Sequence, residues 1–188
     1  MSLLDRLFRH PRRERTVAEL YGLIVAQARR PWFYLEGGVP DTVEGRFELI
    51  ALHAWLVMRR LKDLGPAENA FNQALFDYMF KDMDRSLREL GAGDLGVGEK
   101  VKEMARHFYG RVAAYEGALM PGRPPEALAE ALDRNLYGST LPEPAQVARM
   151  AAHVRAESER LAGFPVSRLM AGEVAFAEPP AALARVEE

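Results

Sequence analysis

No cysteine occurs in the 188-residue chain. That absence excludes a disulfide framework, a thiolate zinc site and a cysteine nucleophile together, and it fits a reducing compartment. Long apolar runs are missing as well. The longest, from Leu49 to Met58, is interrupted by His53 and falls far short of the roughly 20 residues a membrane-spanning helix needs. No apolar core follows the basic start, so no secretory signal is read. Charge of one sign is also lacking: 25 Lys and Arg stand against 27 Asp and Glu, for a net charge of −2, and nothing overall points to direct nucleic-acid binding. We find no alternating strand pattern. An E-x-x-H pair, a nucleophile elbow and a phosphate loop are all missing.

What remains is helical periodicity along nearly the whole chain, and a length suited to one domain that folds without a metal staple. The predicted class is all-α, a single helical domain of six or seven helices. A basic amphipathic segment spans 1–15, the helical domain 16–163, and a partly flexible extension 164–188. Five arginines fall within residues 1–16, and four glutamates lie beyond Gly172, so the ends are basic and acidic. Pro11 and the charges after it read as a linker. Thr16 and Glu19 form a capping box opening a helix to about Arg29. Residues 31–42 read as an ordered aromatic loop. Helices follow over about 43–64, closed by Gly65 as a C-cap, then 66–90, 98–119, 124–136 and 142–161, with prolines in the first turns of the last two.

Few motifs carry chemistry. Gly91 to Gly96 spells G-x-G-x-x-G, but a helix precedes it, so a helix–helix turn is the reading, with Asp94 as a local cap. Arg46, His53 and Arg60 are seven residues apart and share a stripe of the helix over 43–64 with Leu49, Ile50, Leu56 and Val57. Cations on an apolar face need acidic partners. The next helix offers Asp77, Asp82, Asp84 and Glu89. Two readings stand: a salt-bridge network between neighbouring helices, or charges facing a partner protein. Asp77 with Lys81 and Asp84 with Arg88 are i, i+4 pairs, so no metal site is assigned. Glu103 and His107 read as a solvated face. Met58, Met79, Met83 and Met104 fill a core or adapt to an apolar client. The amphipathic start either frays or lies on an anionic membrane surface.

Several long blocks resemble one family. They are Y-G-L-I-V-A-Q-A-R-R-P-W-F-Y (21–34), G-V-P-D-T-V-E-G-R-F-E-L-I-A-L-H (38–53), Q-A-L-F-D-Y-M-F-K-D-M-D-R-S-L-R-E-L-G-A-G-D-L-G-V-G-E-K-V-K (73–102) and F-Y-G-R-V-A-A-Y (108–115). Over about Thr16 to Leu161 the chain resembles the ubiquinol–cytochrome c chaperone family. The resemblance implies a helical, non-enzymatic protein without cofactor or metal. It would hold newly synthesised cytochrome b during assembly of respiratory complex III. Mitochondrial relatives work with a small helper protein and associate with the translating ribosome. The Arg-rich start, with no long presequence, resembles a bacterial-type member at the cytoplasmic face of the inner membrane. The family's signature falls on Arg29, Tyr34, Asp41, Arg46, His53, Asp77, Asp82, Asp84, Arg88, Asp94 and Tyr109. The expected client-binding set is Arg29, Trp32, Phe33, Tyr34, Arg46, His53 and Arg60, because aromatic and arginine anchors dominate interfaces. The alternatives are a peripheral-membrane scaffold contacting lipid through residues 1–15, and a helical metal-dependent enzyme using the acids from Asp77 to Asp84.

Overall fold

The apolar stripes pack as helices around one central helix. The computed structural model describes residues 3–89, 94–138 and 140–179. In order these form α1 (Leu3–Ala28), α2 (Pro31–Leu35), α3 (Val43–Leu61), α4 (Pro66–Glu89), α5 (Asp94–Ala118), α6 (Glu126–Leu132), a π-helical turn (Asp133–Tyr137), α7 (Pro144–Ala162) and α8 (Val166–Met170). Among the described residues there is no strand, and the all-α single domain expected from sequence is the observed one.

α3 is the axis. Thirteen of its 19 residues are buried, as expected of a helix that is apolar on nearly every side. It packs against α1, α4, α7 and the π turn. Thr42 caps its start, accepting a hydrogen bond from the Gly45 N–H at 3.1 Å. α1 contributes Val17, Leu20, Tyr21, Ile24 and Ala28, a 3.6-residue stripe. α4 contributes Phe71, Leu75, Met79, Met83 and Leu87, four apart. α7 adds Val147, Met150, Val154 and Leu161.

Four boundaries differ from those read in the sequence. α1 is continuous from Leu3 through Pro11 and Thr16, so no linker or helix start falls there. Proline removes one hydrogen bond but keeps a helical φ, and the buried stripe from Val17 to Ala28 anchors the helix beyond it. Residues 31–35 form a short helix with Pro31 at its first position. α3 stops at Leu61, and the left-handed residue after it is Asp63 (φ 58°) rather than Gly65. Gly65 instead precedes α4, its carbonyl accepting from the Asn69 N–H at 2.9 Å. The helix over 126–132 passes into the π turn, whose Asp133 carbonyl accepts from the Gly138 N–H at 3.1 Å.

Of the C-terminal extension, α8 buries Leu169, and Val174 and Phe176 pack on the core. Gly172 (φ 87°) turns the chain against α1, so closely that a Cβ there would lie 2.9 Å from the Thr16 carbonyl oxygen. Residues 173–179 then run without regular secondary structure as a strap along the bundle. Residues 180–188 lie outside the described residues.

Gly45 sets how the loop over 36–42 meets α3. A Cβ at this position would come within 2.1 Å of the Pro40 carbonyl oxygen, whereas one at Gly110 on exposed α5 would meet nothing within 4 Å. Gly45→Ala is therefore expected to destabilise the protein by more than about 1 kcal/mol, and Gly110→Ala to stabilise it by up to about 1 kcal/mol. Urea unfolding of the two variants checks this, and equal midpoints would contradict the close approach.

Candidate functional site

Part of the expected set gathers at one end of the bundle. The Tyr34 hydroxyl donates to the Ala28 carbonyl at 3.0 Å, covering the end of α1. Arg46 Nε donates to the Asp41 carboxylate at 2.6 Å on the exposed surface, and that bond holds the Asp41 carboxyl below its usual range. Arg29, also exposed, lies near enough to Tyr21 and Tyr34 for its charge to favour both phenolates. Burial outweighs this and pushes both phenols up. Tyr21 donates in turn to Asp82 of α4 at 3.0 Å, and Asp82 also accepts from Arg85. Thus Arg29, Tyr34, Asp41, Arg46 and Asp82 adjoin at this end. Arg60 does not join them: 14 residues along α3 separate it from Arg46 by about 21 Å, and it donates to the Phe164 carbonyl at 3.1 Å.

The expected network between α3 and α4 is not what forms. Asp77 accepts from Gln73 at 2.8 Å. Asp84 takes two bonds from Arg88, at 2.7 and 3.2 Å, as its spacing suggested. The α4 acids thus pair within α4 and with α1, and the α3 cations turn to Asp41 and Phe164. The physical reason is the depth of α3, which puts His53 in the core as a neutral imidazole and leaves Arg46 and Arg60 near its two ends. Asp94 opens α5, but its side chain and residues 90–93 of the glycine-rich turn lie outside the described set. Tyr109 is 58% exposed and leans on Phe76. His107 and Glu103 form a surface pair.

Two client-set residues are interior. Phe33 and His53 have no exposed surface. Phe33 forms a triangle of rings with two imidazoles, 4.9 Å from His53 and 5.1 Å from His153 of α7, which are themselves 5.9 Å apart. Half-buried Trp32 packs 5.6 Å from His153. Phe176 of the strap closes the other side, edge-on to His53 at 5.6 Å. Nδ1 of His53 donates to the Leu49 carbonyl at 2.7 Å. Nε2 of His53 and Nε2 of His153 have no partner among the described residues. Burial drives the His53 pKa down to about 3. It lowers His153 too, against the pull of Glu157.

Beside the rings, Glu157 of α7 is fully buried. Arg160 donates to both its oxygens, at 2.9 to 3.3 Å, and the Ala177 N–H of the strap donates to Oε1 at 2.7 Å. Gln27, also buried, reaches the Ala177 carbonyl at 3.5 Å. Arg30 bridges Gln27 and Glu178. Sequence reading missed Gln27, His153, Glu157 and the strap. The alternation of Val174 and Phe176 with exposed Glu173 and Ala175 was the available signal.

A separate cleft of 580 Å³ opens between α3, α5 and the π turn, where Glu48 is held by Arg111. Burial pushes its carboxyl up while the guanidinium pulls it down. Among the described residues no three His, Asp or Glu side chains converge to hold a metal, and no helix is long and apolar enough to cross a membrane. Two features thus stand out: an arginine–tyrosine end patch, and an aromatic groove covered by the chain's own residues 173–179.

A sequence profile described as ubiquinol–cytochrome C chaperone matches residues 35–176, from α2 to the strap. The chain belongs to the ubiquinol–cytochrome c chaperone family. It is similar to the ubiquinol–cytochrome c reductase complex assembly factor 1 of Mus musculus (24% identical, 69% of this chain and 43% of that protein) and of Homo sapiens (23%, 77% and 48%). The chain thus spans about half the length of these curated relatives. Its fold is similar to the crystal structure of the Cbp3 homolog from Brucella abortus, with a TM-score of 0.80, 40% identity, and coverage of 94% of this chain and 97% of that one.

The buried imidazoles make this chaperone-family fold acid-sensitive. His53 titrates near 3 in the fold and near 6.5 when free. The unfolded chain therefore binds more protons than the folded one between those values. The stability that neutral His53 contributes is present above about 6.5 and is lost as pH falls through the window, by up to about 1.4 kcal/mol per pH unit. His53→Gln is expected to flatten the decline in unfolding free energy across this range relative to the unmodified chain. Urea titrations at several pH values read the difference, and identical slopes would contradict a buried neutral imidazole.

Proposed function

We propose that the chain is a non-enzymatic chaperone for assembly of ubiquinol–cytochrome c reductase, and that its client is newly synthesised cytochrome b. The observation that carries this reading is the family match over residues 35–176, supported by the shared fold of the Brucella Cbp3 homolog. The relatives' names give the complex, and cytochrome b is the membrane subunit whose apolar segments most need cover before insertion. A groove or patch on a helical domain can supply that cover through a few buried anchors.

In this reading the client contacts Arg29, Trp32, Tyr34 and Arg46, while Arg60, which also reaches the surface, stands apart at the far end of α3. Phe33 and His53 act from beneath, by holding Trp32 and the groove in place. The protein works at the cytoplasmic face of the membrane, with a small helper protein and the ribosome as further partners.

Arg29 and Arg46 are exposed, so reversing both (Arg29→Glu with Arg46→Glu) leaves the core intact. The double variant is expected to melt within a few degrees of the unmodified chain and to recover about tenfold less cytochrome b, as for loss of an interface anchor. Pull-downs from cells translating cytochrome b, with photocrosslinkers at positions 29 and 46 and a control at 102, make the measurement. Recovery of lipids and unrelated membrane proteins without cytochrome b would move the reading to a general membrane scaffold.

A further inference from the structure

The groove beneath residues 173–179 has features that ordinary tail packing does not require. A buried carboxylate is costly unless charge-paired and hydrogen-bonded. Yet Glu157, with 1% of its side chain exposed, spends one oxygen on a backbone N–H of the strap. Buried Gln27 reaches toward the carbonyl of the same residue. Two side chains from different helices thus address both main-chain polar groups of one extended residue, a grip that reads peptide backbone rather than side chain. On either side of it, Phe176 sits against His53 and Glu178 meets Arg30. Together they define a motif of aromatic, any residue, acid.

The strap fits this groove incompletely. Against Phe176 of the strap lies buried His53, and beside that ring His153; the Nε2 atoms of both have no partner among the described residues, and a buried polar atom left unpaired costs about 1–3 kcal/mol. Its outer ion pair is weak by position, with Glu178 80% exposed. A segment with the same backbone and a hydrogen-bond donor toward the imidazoles would fit better.

We propose that this groove is a binding site for an extended segment of a partner protein, with an aromatic or large apolar residue two positions before an acid, and that residues 173–179 occupy it as a displaceable stand-in. The site is distinct from the arginine–tyrosine end patch, and its existence does not depend on which protein is the client. Because the strap is tethered, it competes at an effective concentration in the millimolar range. The free chain therefore holds the groove closed until a better-fitting segment arrives.

The test uses the full chain and a fluorescently labelled peptide of residues 172–179, G-E-V-A-F-A-E-P, as the probe. Phe176→Ala loosens the strap in cis. Anisotropy is expected to show at least about tenfold tighter peptide binding to this variant than to the unmodified chain. Binding should be lost when the peptide's own Phe is replaced by Ala, and weakened by up to about tenfold when Gln27→Ala is added. A folded Phe176→Ala chain that binds no peptide overturns the proposal. Hydrogen exchange on the unmodified chain gives an independent reading should that variant fail to fold. The Ala177 amide is expected to exchange much faster than the amides of α3, through local opening of the strap. Exchange as slow as the α3 core overturns the proposal. A concentration-dependent dimer that protects 173–179 would make a second copy the occupant, and the partner-segment proposal would fail.

Discussion

The burial of α3 is the constraint on which the rest of the structure depends. A helix apolar on nearly every side forces its neighbours to surround it, and α1, α4, α7 and the π turn do so. Charge is thereby driven toward its ends. Arg46 emerges in the second turn beside Asp41, while Arg59 and Arg60 emerge in the last turn, where cations complement the helix dipole. Arg59 binds Glu116 of α5 and Ser158 of α7, both at 3.0 Å or less. The same guanidinium ties α3 to the two helices that flank its exit.

His53 is where this burial meets the groove. Its backbone bond to Leu49 fixes the ring, and its other edge faces Phe33, His153 and Phe176. One buried side chain thus supports α2 from below and floors the groove that the strap covers. The loop between α2 and α3 is secured by separate contacts. Arg149 of α7 donates to the Glu36 carbonyl, and the Tyr137 hydroxyl donates to that of Gly37. The end patch and the groove therefore rest on α7 and the π turn, far along the chain from the residues that form their surface.

The legible part of the fold was whatever depends on local period and punctuation. Stripes such as Phe71 to Leu87 announce a helix without reference to its neighbours, and Pro66 and Pro144 mark starts. Depth was not legible. Arg46, His53 and Arg60 share a helical stripe, but only three-dimensional packing places His53 in the core and the arginines near opposite ends. Pro11 misled because its cost depends on whether the downstream helix is anchored elsewhere. Of the candidate site, the arginine–tyrosine patch could be assembled from sequence blocks. The groove could not, since Gln27, His153, Glu157 and Ala177 lie up to 150 residues apart, and single polar residues on amphipathic helices carry no sign of burial.

The grip on Ala177 has a consequence for how this tail can vary. Because Glu157 and Gln27 hold the main chain, nothing in the contact selects the side chain at 177. Proline is excluded there, because it lacks the N–H that Glu157 receives. The neighbours carry the opposite burden, since Phe176 and Glu178 engage by side chain. Across descendants of this gene, the tail would record its history as a held aromatic followed by a position that is never proline, with looser selection at the exposed acid beyond it.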